Sequence, residues 1–239
     1  MIKKQLKKRI IGTRMPVLLA SAYDKAAKMV IDSYYIPTAE EVIAVLSQIK
    51  TNSLETDRRI LDLGTGPGYL PIEIAKRVHD YQIEGIDPLL KLIKIARNNA
   101  IRAGVGDRVH FEVGDANKLR FKENSYDMIV STGAFHELKN PIKVLNECYR
   151  VLKPGGEVFI HDPARVSAGL ERKKWIDSLT FLEKITYRLF TLFRKFKPPQ
   201  TYSQKEAEEM IAATKFKEYH IEEHWIKGTR ELKIKLRKK

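Results

Sequence analysis

A glycine-rich loop between a predicted strand and a predicted helix carries the clearest chemical signal in the sequence. Its glycines are Gly64, Gly66 and Gly68. Glycines there allow a ligand to approach the main chain, and the first turn of the helix offers free N–H groups. The dinucleotide fingerprint would have its third glycine at Tyr69, and Pro67 removes an amide that would bind a pyrophosphate. Together with the carboxylate of Asp62, these departures favour a ligand that lacks phosphates and carries positive charge.

Two acidic positions follow the next two predicted strands at the spacing that a nucleoside needs. Asp87 ends the second strand, 19 residues after Gly68, where a carboxylate can accept hydrogen bonds from both hydroxyls of a ribose. Asp115 and Ala116 follow the third strand, where a carboxylate can accept a hydrogen bond from the exocyclic amine of an adenine. Either acid alone is equally typical of a solvated loop or a helix cap. Their joint placement beside the glycine loop favours a nucleoside-binding site.

These residues lie in a region, between residues 58 and 162, where short apolar runs alternate with longer helical patterns. The runs that predict strands are Ile60–Leu63, Ile83–Ile86, Val109–Val113, Met128–Val130 and Val158–Ile160. Strands separated by helices in this way predict an α/β fold with a parallel sheet that is covered on both faces. Because doubly wound sheets bind ligands at the carboxyl ends of their strands, we expect the loop and the acids to share one edge.

Further segments flank this region on both sides. Residues 15–50 predict two helices joined near Ile36–Thr38, and residues 165–197 predict one or two helices with one apolar face. Ser203, with Glu206 three residues later, is the pattern of a capping box at the start of another helix. The flanking segments are therefore mainly helical.

Two alternating runs at the C-terminal end, His220–Ile226 and Glu231–Leu236, predict a pair of strands. We therefore predict a single domain over residues 1–239. Its predicted parts are an N-terminal helical cap at 1–50, a cofactor-binding core at 58–162, a helical insert or lid at 163–202, and a final helix with the terminal strand pair at 203–239.

Over residues 58–162 the sequence resembles the class I S-adenosylmethionine-dependent methyltransferases. The motifs that carry the resemblance are ILDLGTGPGYL, IEGIDP, VGDA, SYDMIVSTGAFHEL and VLNECYRVLKPGGEVFIHD. The resemblance implies a doubly wound, Rossmann-like sheet of seven strands, mostly parallel with the last strand antiparallel. It also implies S-adenosyl-L-methionine as the cofactor and S-adenosyl-L-homocysteine as its product.

The resemblance assigns roles to individual residues at the strand ends. In the family, the glycine loop contacts the methionine part, the acid that matches Asp87 holds the ribose, and Asp115 with Ala116 meets the adenine. Residues near Ser131 line the floor of the site. The implied cofactor-binding residues are Asp62, Gly64, Gly66, Gly68, Tyr69, Asp87, Pro88, Asp115, Ala116 and Ser131.

A histidine after the fourth predicted strand is the candidate catalytic residue. Methyl transfer from a sulfonium needs a nucleophile held in line with the methyl group, and it needs a base only where that nucleophile must lose a proton. His136, six residues beyond Val130, lies where the family approaches the methyl donor. We hypothesise that His136 positions or deprotonates the acceptor, with a structural role as the alternative; His161 and Asp162 are secondary candidates.

Metal-assisted enzymes of the catechol type place acids after the fourth and fifth strands, where only Asp162 is present, so we expect no metal site.

The residues after the fourth strand also narrow the methyl acceptor. Methylation of exocyclic base amines is typical of an Asn or Asp followed by Pro-Pro and an aromatic residue, whereas this chain has Ser131–Phe135 there. The chain is most similar to the branch that methylates small molecules such as quinones and sterols, in which N-terminal helices and the insert close over the substrate. We therefore predict a small, partly hydrophobic metabolite as the acceptor. The aromatic residues of those segments, which pack the helices or line the acceptor pocket, are Tyr23, Tyr34, Tyr35, Trp175, Phe181, Tyr187, Phe190 and Phe193.

The formal charge of +14 is concentrated in three segments. Residues 1–14, 165–197 and 227–239 each have a balance of +6, the last with Glu231 as its one acid, which leaves −4 for the rest of the chain. The predicted cofactor region is therefore mildly acidic, in keeping with a cationic methyl donor.

The basic segments leave two alternatives open. One is an RNA methyltransferase that uses them for phosphate contacts, and the other is a membrane-associated lipid or quinone methyltransferase whose 165–197 helix lies on an anionic surface.

Composition bounds the remaining properties. The single cysteine, Cys148, has no partner for an internal disulfide, which favours a reducing, cytoplasmic location, with peripheral membrane contact as the alternative. Abundant Lys and Glu are typical of thermophilic proteins. A non-catalytic cofactor-binding module and a nicotinamide dehydrogenase are the remaining alternatives, and the sequence leaves the acceptor atom and the oligomeric state open.

Overall fold

The computed structural model describes residues 20–49, 57–164, 201–226 and 229–239, together with the single residues Asp177 and Lys184. The basic segment at residues 1–14 and nearly all of the predicted insert lie outside the described residues. The same holds for the predicted pocket aromatics of the insert, which are Trp175, Phe181, Tyr187, Phe190 and Phe193.

A seven-stranded sheet forms the centre of the described structure. Its strands are β1 Arg59–Leu63, β2 Gln82–Asp87, β3 Val109–Val113, β4 Tyr126–Thr132, β5 Leu152–Pro163, β6 Glu218–Ile226 and β7 Thr229–Arg237. Across the sheet the order is β3-β2-β1-β4-β5-β7-β6, and β1 to β5 run parallel to one another. The last strand, β7, lies between β5 and β6 and runs antiparallel to both. The predicted strands and the antiparallel last strand are confirmed.

The described helices pack on this sheet. They are α1 Ala20–Met29, α2 Ile36–Leu46, α3 Tyr69–Ala75, α4 Leu90–Arg102, α5 Pro141–Val151 and α6 Gln204–Ala212. A π-helical turn at Ile31–Tyr35 joins α1 to α2, so the break comes at Val30 and not at the predicted joint near Ile36–Thr38. Pro37 explains the difference, because a proline in the first turn of a helix lacks only an N–H that has no partner within that helix. Within the described ranges, no helix has the length and apolar character that crossing a membrane requires.

Helices cover both faces of the sheet, as the alternating sequence pattern predicts. Along β1, Ile60 joins one buried cluster while Leu61 and Leu63 join the other, because successive side chains of a strand point to opposite faces. The cluster with Ile60 contains side chains of α2, α3 and α4, and the other contains side chains of α5 and α6. Burial of both faces explains why the strands are continuous apolar runs. The doubly wound α/β fold is confirmed.

Side-chain caps begin two of the helices, one of them at the predicted capping box. At α6, Ser203 Oγ accepts a hydrogen bond from Glu206 N at 3.4 Å, and Glu206 Oε2 accepts one from Ser203 N at 3.0 Å, which forms the predicted capping box. At α5, Asn140 Oδ1 accepts a hydrogen bond from Lys143 N at 3.4 Å. Both helices begin where a side chain satisfies a free backbone N–H group.

Candidate active site

The glycine-rich loop leaves β1 at the carboxyl edge of the sheet and leads into α3. Gly64 N and Thr65 N donate hydrogen bonds to the carbonyl oxygen of Ile86, on β2, at 2.9 and 3.0 Å. Gly64 has a φ of +73°, and a Cβ atom built on it would lie 2.5 Å from the Cβ of Ala134. A larger residue would therefore meet both backbone strain and a clash, which explains the glycine. The loop is fixed by hydrogen bonds and packing within the protein.

Asp62, next to the end of β1, is buried with 2% of its surface exposed. Among the described residues, neither its Oδ1 atom nor Thr65 Oγ1 has a hydrogen-bond partner. Burial raises the pKa of Asp62 to about 7; the nearby Thr65 side chain opposes this rise and the charge of Asp87 adds to it. A buried carboxyl group without full hydrogen bonding destabilises the protein unless a ligand binds it. Asp62 therefore has the properties of a ligand-binding group.

Asp87 ends β2 and holds the glycine loop through its carboxylate. Its Oδ2 accepts a hydrogen bond from Gly66 N at 3.2 Å, and its Oδ1 accepts one from Leu89 N at 2.8 Å. Burial raises the pKa of Asp87, and these two backbone N–H groups oppose the rise. In the part of the chain that the structure describes, neither Asp87 nor Asp62 forms an ion pair. The site is acidic, and no described residue supplies a compensating cation to it.

Two of the predicted cofactor-binding residues are exposed at the neighbouring strand ends. Pro88 follows Asp87 at the end of β2, and Asp115 lies in the turn after β3. Asn117 N and Asn117 Nδ2 donate to Asp115 Oδ1 at 2.9 and 2.8 Å, and these hydrogen bonds lower the pKa of Asp115. The carboxylate is thus ionised and held in an open turn. Its predicted contact with an adenine stays a prediction.

Three other predicted residues are packed into the protein at the same edge. Ala116 is buried beside the turn after β3, and Ser131 is buried in β4. The Ser131 hydroxyl donates to the carbonyl oxygen of Leu63 at 3.0 Å, which ties β4 to β1. Gly68 has a φ of +83°, and a Cβ atom on it would lie 2.7 Å from Phe111 Cζ. Their predicted role in lining the floor of a cofactor site stays a prediction.

Helix α1 packs against the glycine loop from the N-terminal side. The Tyr69 hydroxyl donates to Asp24 Oδ1 at 2.9 Å, and Asn99 Nδ2 donates to the same oxygen at 3.2 Å. A Cβ atom built on Gly66 would lie 3.3 Å from Cε1 of Tyr23. Tyr69 thus links α1 to α3, a contact that the sequence patterns did not indicate.

His136 lies in a 3₁₀ turn after β4 and is buried. Asp162, near the end of β5, fixes this turn: its Oδ1 accepts from Phe135 N at 3.2 Å and its Oδ2 accepts from His136 N at 2.9 Å. The Nδ1 atom of His136 is 2.9 Å from the same Oδ2, and its Nε2 is 3.5 Å from Glu137 Oε1. Burial lowers the pKa of His136, but the two carboxylates outweigh burial and raise the pKa to about 9. His136 is therefore an imidazolium at neutral pH.

A cavity of about 270 Å³ lies between the N-terminal helices and the ends of β4, β5 and β7. Its described lining residues are Tyr23, Ala26, Ala27, Val30, Tyr34, Tyr35, Thr132, Gly133, Pro163 and Glu231. The ring of Tyr35 also packs on the ring of Tyr69, with centroids 5.7 Å apart, and Tyr23 lies against Gly66. The cavity therefore adjoins the glycine loop, and the three aromatic residues predicted from the N-terminal helices line it.

Several polar groups of this cavity were missed by sequence reasoning. The hydroxyl groups of Tyr34 and Thr132 are hydrogen-bonded at 2.7 Å. The Glu231 carboxylate, on β7, is hydrogen-bonded to His161, a secondary candidate on β5. In the sequence, the one signal for Glu231 is that it stands alone as an acid in a basic segment.

The described residues indicate neither a cysteine nucleophile nor a metal site. Cys148 is buried in α5, and burial raises the pKa of its thiol, so it lacks the thiolate character of a nucleophile. Within the described ranges, no three His, Cys, Asp or Glu side chains are arranged to hold a metal ion.

Comparison with protein families gives a match over most of the chain. The family described as Methyltransferase domain matches residues 54–223. The matched range contains the glycine loop, Asp62, Asp87, Asp115 and His136. The match therefore covers the strand ends at which the acidic site and the cavity meet.

Curated relatives match about half of the chain. The 27-O-demethylrifamycin SV methyltransferase of Amycolatopsis mediterranei is 33% identical over 125 residues, which are 50% of this chain and 46% of that protein. The demethylmenaquinone methyltransferase of Lactiplantibacillus plantarum is 29% identical over 138 residues, which are 57% of this chain and 58% of that protein. The chain thus spans about half the length of the curated relatives it matches.

A solved structure extends the likeness to nearly the whole fold. A protein of Methanococcus maripaludis, described as a candidate S-adenosyl-L-methionine-dependent methyltransferase, superimposes with a TM-score of 0.69 at 24% identity. The superposition covers 95% of this chain and 94% of that one. At this identity the likeness shows the fold alone.

Proposed function

This chain belongs to the Methyltransferase domain family, and we propose that it transfers a methyl group from S-adenosylmethionine to a small, partly hydrophobic acceptor. The observation that carries the proposal is the acidic site formed by Asp62 and Asp87, which has no compensating cation among the described residues. S-adenosylmethionine carries positive charge at its sulfonium and at its amino group. It would supply the charge that this site lacks.

The residues present fit this cofactor. The unpaired Asp62 Oδ1 and Thr65 Oγ1 would accept hydrogen bonds from its amino group. Asp87, at the end of β2, would hold the ribose, and Asp115 with Ala116 would meet the adenine, as the resemblance implies. A dinucleotide fits less well, because Asp62 and Pro67 oppose a pyrophosphate at this loop.

When bound, the cofactor supplies a methyl group that a nucleophile takes by in-line displacement, while the electron pair of the broken C–S bond stays on sulfur. The chain's own residues hold and orient the reactants. Hydrogen bonds from the loop to Ile86 and Asp87 fix the loop in advance, so little rearrangement is needed at the moment of transfer. We propose that this preorganisation provides most of the acceleration.

The acceptor binds, in this proposal, in the cavity beside the glycine loop. Tyr23, Tyr34 and Tyr35 give it aromatic walls, and Ala26, Ala27 and Val30 are apolar. Such walls favour a partly hydrophobic molecule. The wider N-terminal cap at residues 1–50 and the insert at 163–202 are proposed to close over it as parts of one domain, residues 1–239.

His136 is not among the described residues that line the cavity, but it follows the lining residue Gly133 by three positions. We propose that His136, held by Asp162, positions the acceptor near the methyl group from this turn. As an imidazolium it donates hydrogen bonds, and it becomes a base only after losing its proton, which in the free protein requires a pH near or above 9. A cationic cofactor nearby would lower that pKa, because like charges repel. In this proposal, His136 therefore positions the acceptor as an imidazolium, and it can remove a proton from the acceptor when the bound cofactor lowers its pKa.

A quinone-type acceptor is the second candidate. It is favoured by the similarity to the demethylmenaquinone methyltransferase of Lactiplantibacillus plantarum and by the aromatic lining of the cavity. An RNA acceptor remains a prediction from the basic segments, and its binding would weaken steeply with salt.

Two measurements test the proposed function. Calorimetry should show binding of S-adenosylhomocysteine and no comparable binding of NAD. Labelled S-adenosylmethionine should then transfer its methyl group to a component of a metabolite, lipid or RNA fraction, and the fraction that becomes labelled distinguishes the three acceptor classes. Binding of NAD in place of S-adenosylhomocysteine would contradict the proposal.

A further inference from the structure

Of the described residues that line the acceptor cavity, Glu231 alone carries a charge. It lies on β7 opposite Pro163 of β5, and 12% of its side chain is exposed. Its Oε2 atom is bonded to His161 Nε2, whereas its Oε1 atom has no hydrogen bond to any other residue that the structure describes. One oxygen of a half-buried carboxylate is therefore available to a molecule in the cavity.

His161 is held from its other side as well. The Thr38 hydroxyl donates its single proton to the carbonyl oxygen of Tyr34 at 2.7 Å, so the same oxygen accepts a hydrogen bond from His161 Nδ1, at 3.2 Å. The ring of Tyr34 also packs on the imidazole, with centroids 5.2 Å apart. Thr38 and Tyr34 together fix both the position and the orientation of His161.

The contact between Glu231 and His161 requires a shared proton. Because His161 Nδ1 donates to Thr38, the Nε2 atom and the Glu231 Oε2 atom form a hydrogen bond only with a proton between them. This hydrogen bond takes up Oε2 and fixes the position of the carboxyl group. Oε1 is left to accept a hydrogen bond from a molecule in the cavity.

We infer that Glu231, oriented by His161, selects the methyl acceptor as an apolar molecule that donates a hydrogen bond from a hydroxyl or amine group to Oε1. An acidic ligand is rejected by like charge, and a purely apolar one covers Oε1 without giving it a hydrogen-bond partner. This inference rests on the proposed function, because it takes the cavity to be the acceptor site. Glu231 acts here as a specificity-determining residue, and no step of the methyl transfer passes through it.

Four small aromatic probes test the inference: benzyl alcohol, benzylamine, benzoate and toluene. They share a ring and differ in the polar group, and their binding to the complex with S-adenosylhomocysteine is measured by NMR titration. We expect benzyl alcohol and benzylamine to bind at least about tenfold more tightly than benzoate, with toluene weaker than the alcohol. Either order of the alcohol and the amine supports the inference and identifies which group the site prefers.

Substitutions of Glu231 test whether this residue selects the ligand or has only a structural role. In Glu231→Gln, benzyl alcohol and benzylamine should bind no more than about threefold more tightly than benzoate, because the negative charge is gone. Glu231→Asp keeps the charge and should still reject benzoate. The matched control is Glu218→Gln, which removes an exposed carboxylate from the neighbouring strand β6 and should change nothing.

Three results bear against these proposals in different ways. An unchanged preference in Glu231→Gln would overturn the inference, and so would the absence of probe binding to protein that does bind S-adenosylhomocysteine. Failure of S-adenosylhomocysteine itself to bind would contradict the proposed function instead. Circular dichroism of each variant establishes that it is folded before its binding is compared.

Discussion

The Oδ2 atom of Asp162 lies 2.9 Å from both the backbone nitrogen and the ring Nδ1 of His136, so one carboxylate oxygen accepts hydrogen bonds from two groups of the same residue. The backbone contact fixes the turn after β4 on β5. The ring contact holds a proton on Nδ1 and raises the pKa of His136. The Asp162 carboxylate therefore determines both the position and the charge of His136.

The pH dependence of methyl transfer tests His136 as a base. Asp162 and Glu137 raise the pKa of His136 to about 9 against the effect of burial. If the neutral imidazole takes a proton, the rate rises with pH and levels off once that group is deprotonated. His136→Asn should reduce the rate by about 100-fold or more and remove this inflection from the profile. An inflection that persists in the variant belongs to another group and excludes His136 as the base.

The stability of the protein should depend on the same titration. The pKa of His136 in the folded state, about 9, is above its ordinary value of 6.5. The charged pair therefore contributes its full stabilisation below pH 6.5, and that contribution is lost as the pH rises through about 9. The difference in free energy of unfolding between wild type and His136→Asn should shrink by about 3 kcal/mol over that range.

Urea denaturation at several pH values measures this difference. The control is His110→Asn, which removes an exposed histidine from the edge strand β3, four strands away from Asp162 of β5. A His136→Asn difference that grows with pH would show that the imidazole is neutral in the folded protein.

Features that depend on residues close together in the chain could be predicted from sequence. The capping box of Ser203 and Glu206 needs only two residues three apart, and the glycine loop needs a strand followed directly by a helix. The acids at the ends of β2 and β3 follow from the same strand pattern. For this reason the sheet and the position of Asp62 and Asp87 could be anticipated.

The polar contacts of the cavity could not be predicted in this way. The Glu231–His161 contact joins residues 70 apart and depends on the antiparallel register of β5 and β7. The Tyr34–Thr132 contact spans 98 residues and depends on where the π-helical turn places Tyr34. A one-residue change of register would turn Glu231 to the other face of the sheet, and the sequence pattern does not determine the register.

Replacing Asp62 should improve stability and weaken cofactor binding at the same time. Burial raises the pKa of Asp62 from 3.8 to about 7, so its ionisation destabilises the free protein, increasingly from pH 3.8 upwards and fully above pH 7. Asp62→Asn removes that penalty and should raise the free energy of unfolding at alkaline pH by up to about 4 kcal/mol. It should also weaken binding of S-adenosylhomocysteine by about tenfold or more, because a charged hydrogen bond to the amino group is lost.

Calorimetry and urea denaturation of the same protein sample check both effects of Asp62→Asn. Asp107→Asn is the control, since Asp107 is exposed away from the site and should change neither quantity. Tight binding of S-adenosylhomocysteine by Asp62→Asn would exclude Asp62 from the cofactor site.

Alanine substitutions at two glycines with the same backbone conformation distinguish the cost of backbone strain from the cost of a steric clash in the cofactor loop. Gly64 and Gly104 have φ values of +73° and +72°, so an alanine at either position should cost about 1 kcal/mol of backbone strain. At Gly104 no heavy atom lies within 4 Å of the added Cβ, whereas at Gly64 the Cβ of Ala134 would be 2.5 Å away. Gly64→Ala should therefore lose about 2 kcal/mol more than Gly104→Ala, because the loop or the turn after β4 must move.

The same pair of variants shows whether the geometry of the loop controls binding. Gly104→Ala should bind S-adenosylhomocysteine like the wild type, because Gly104 lies at the far end of α4, away from the loop. Gly64→Ala should bind it at least about tenfold more weakly, since displacement of the loop also disturbs the hydrogen bonds to Ile86 and Asp87. Equal losses of stability in the two variants would mean that Ala134 gives way without cost. Equal affinities would mean that the position of Gly64 is not part of the cofactor site.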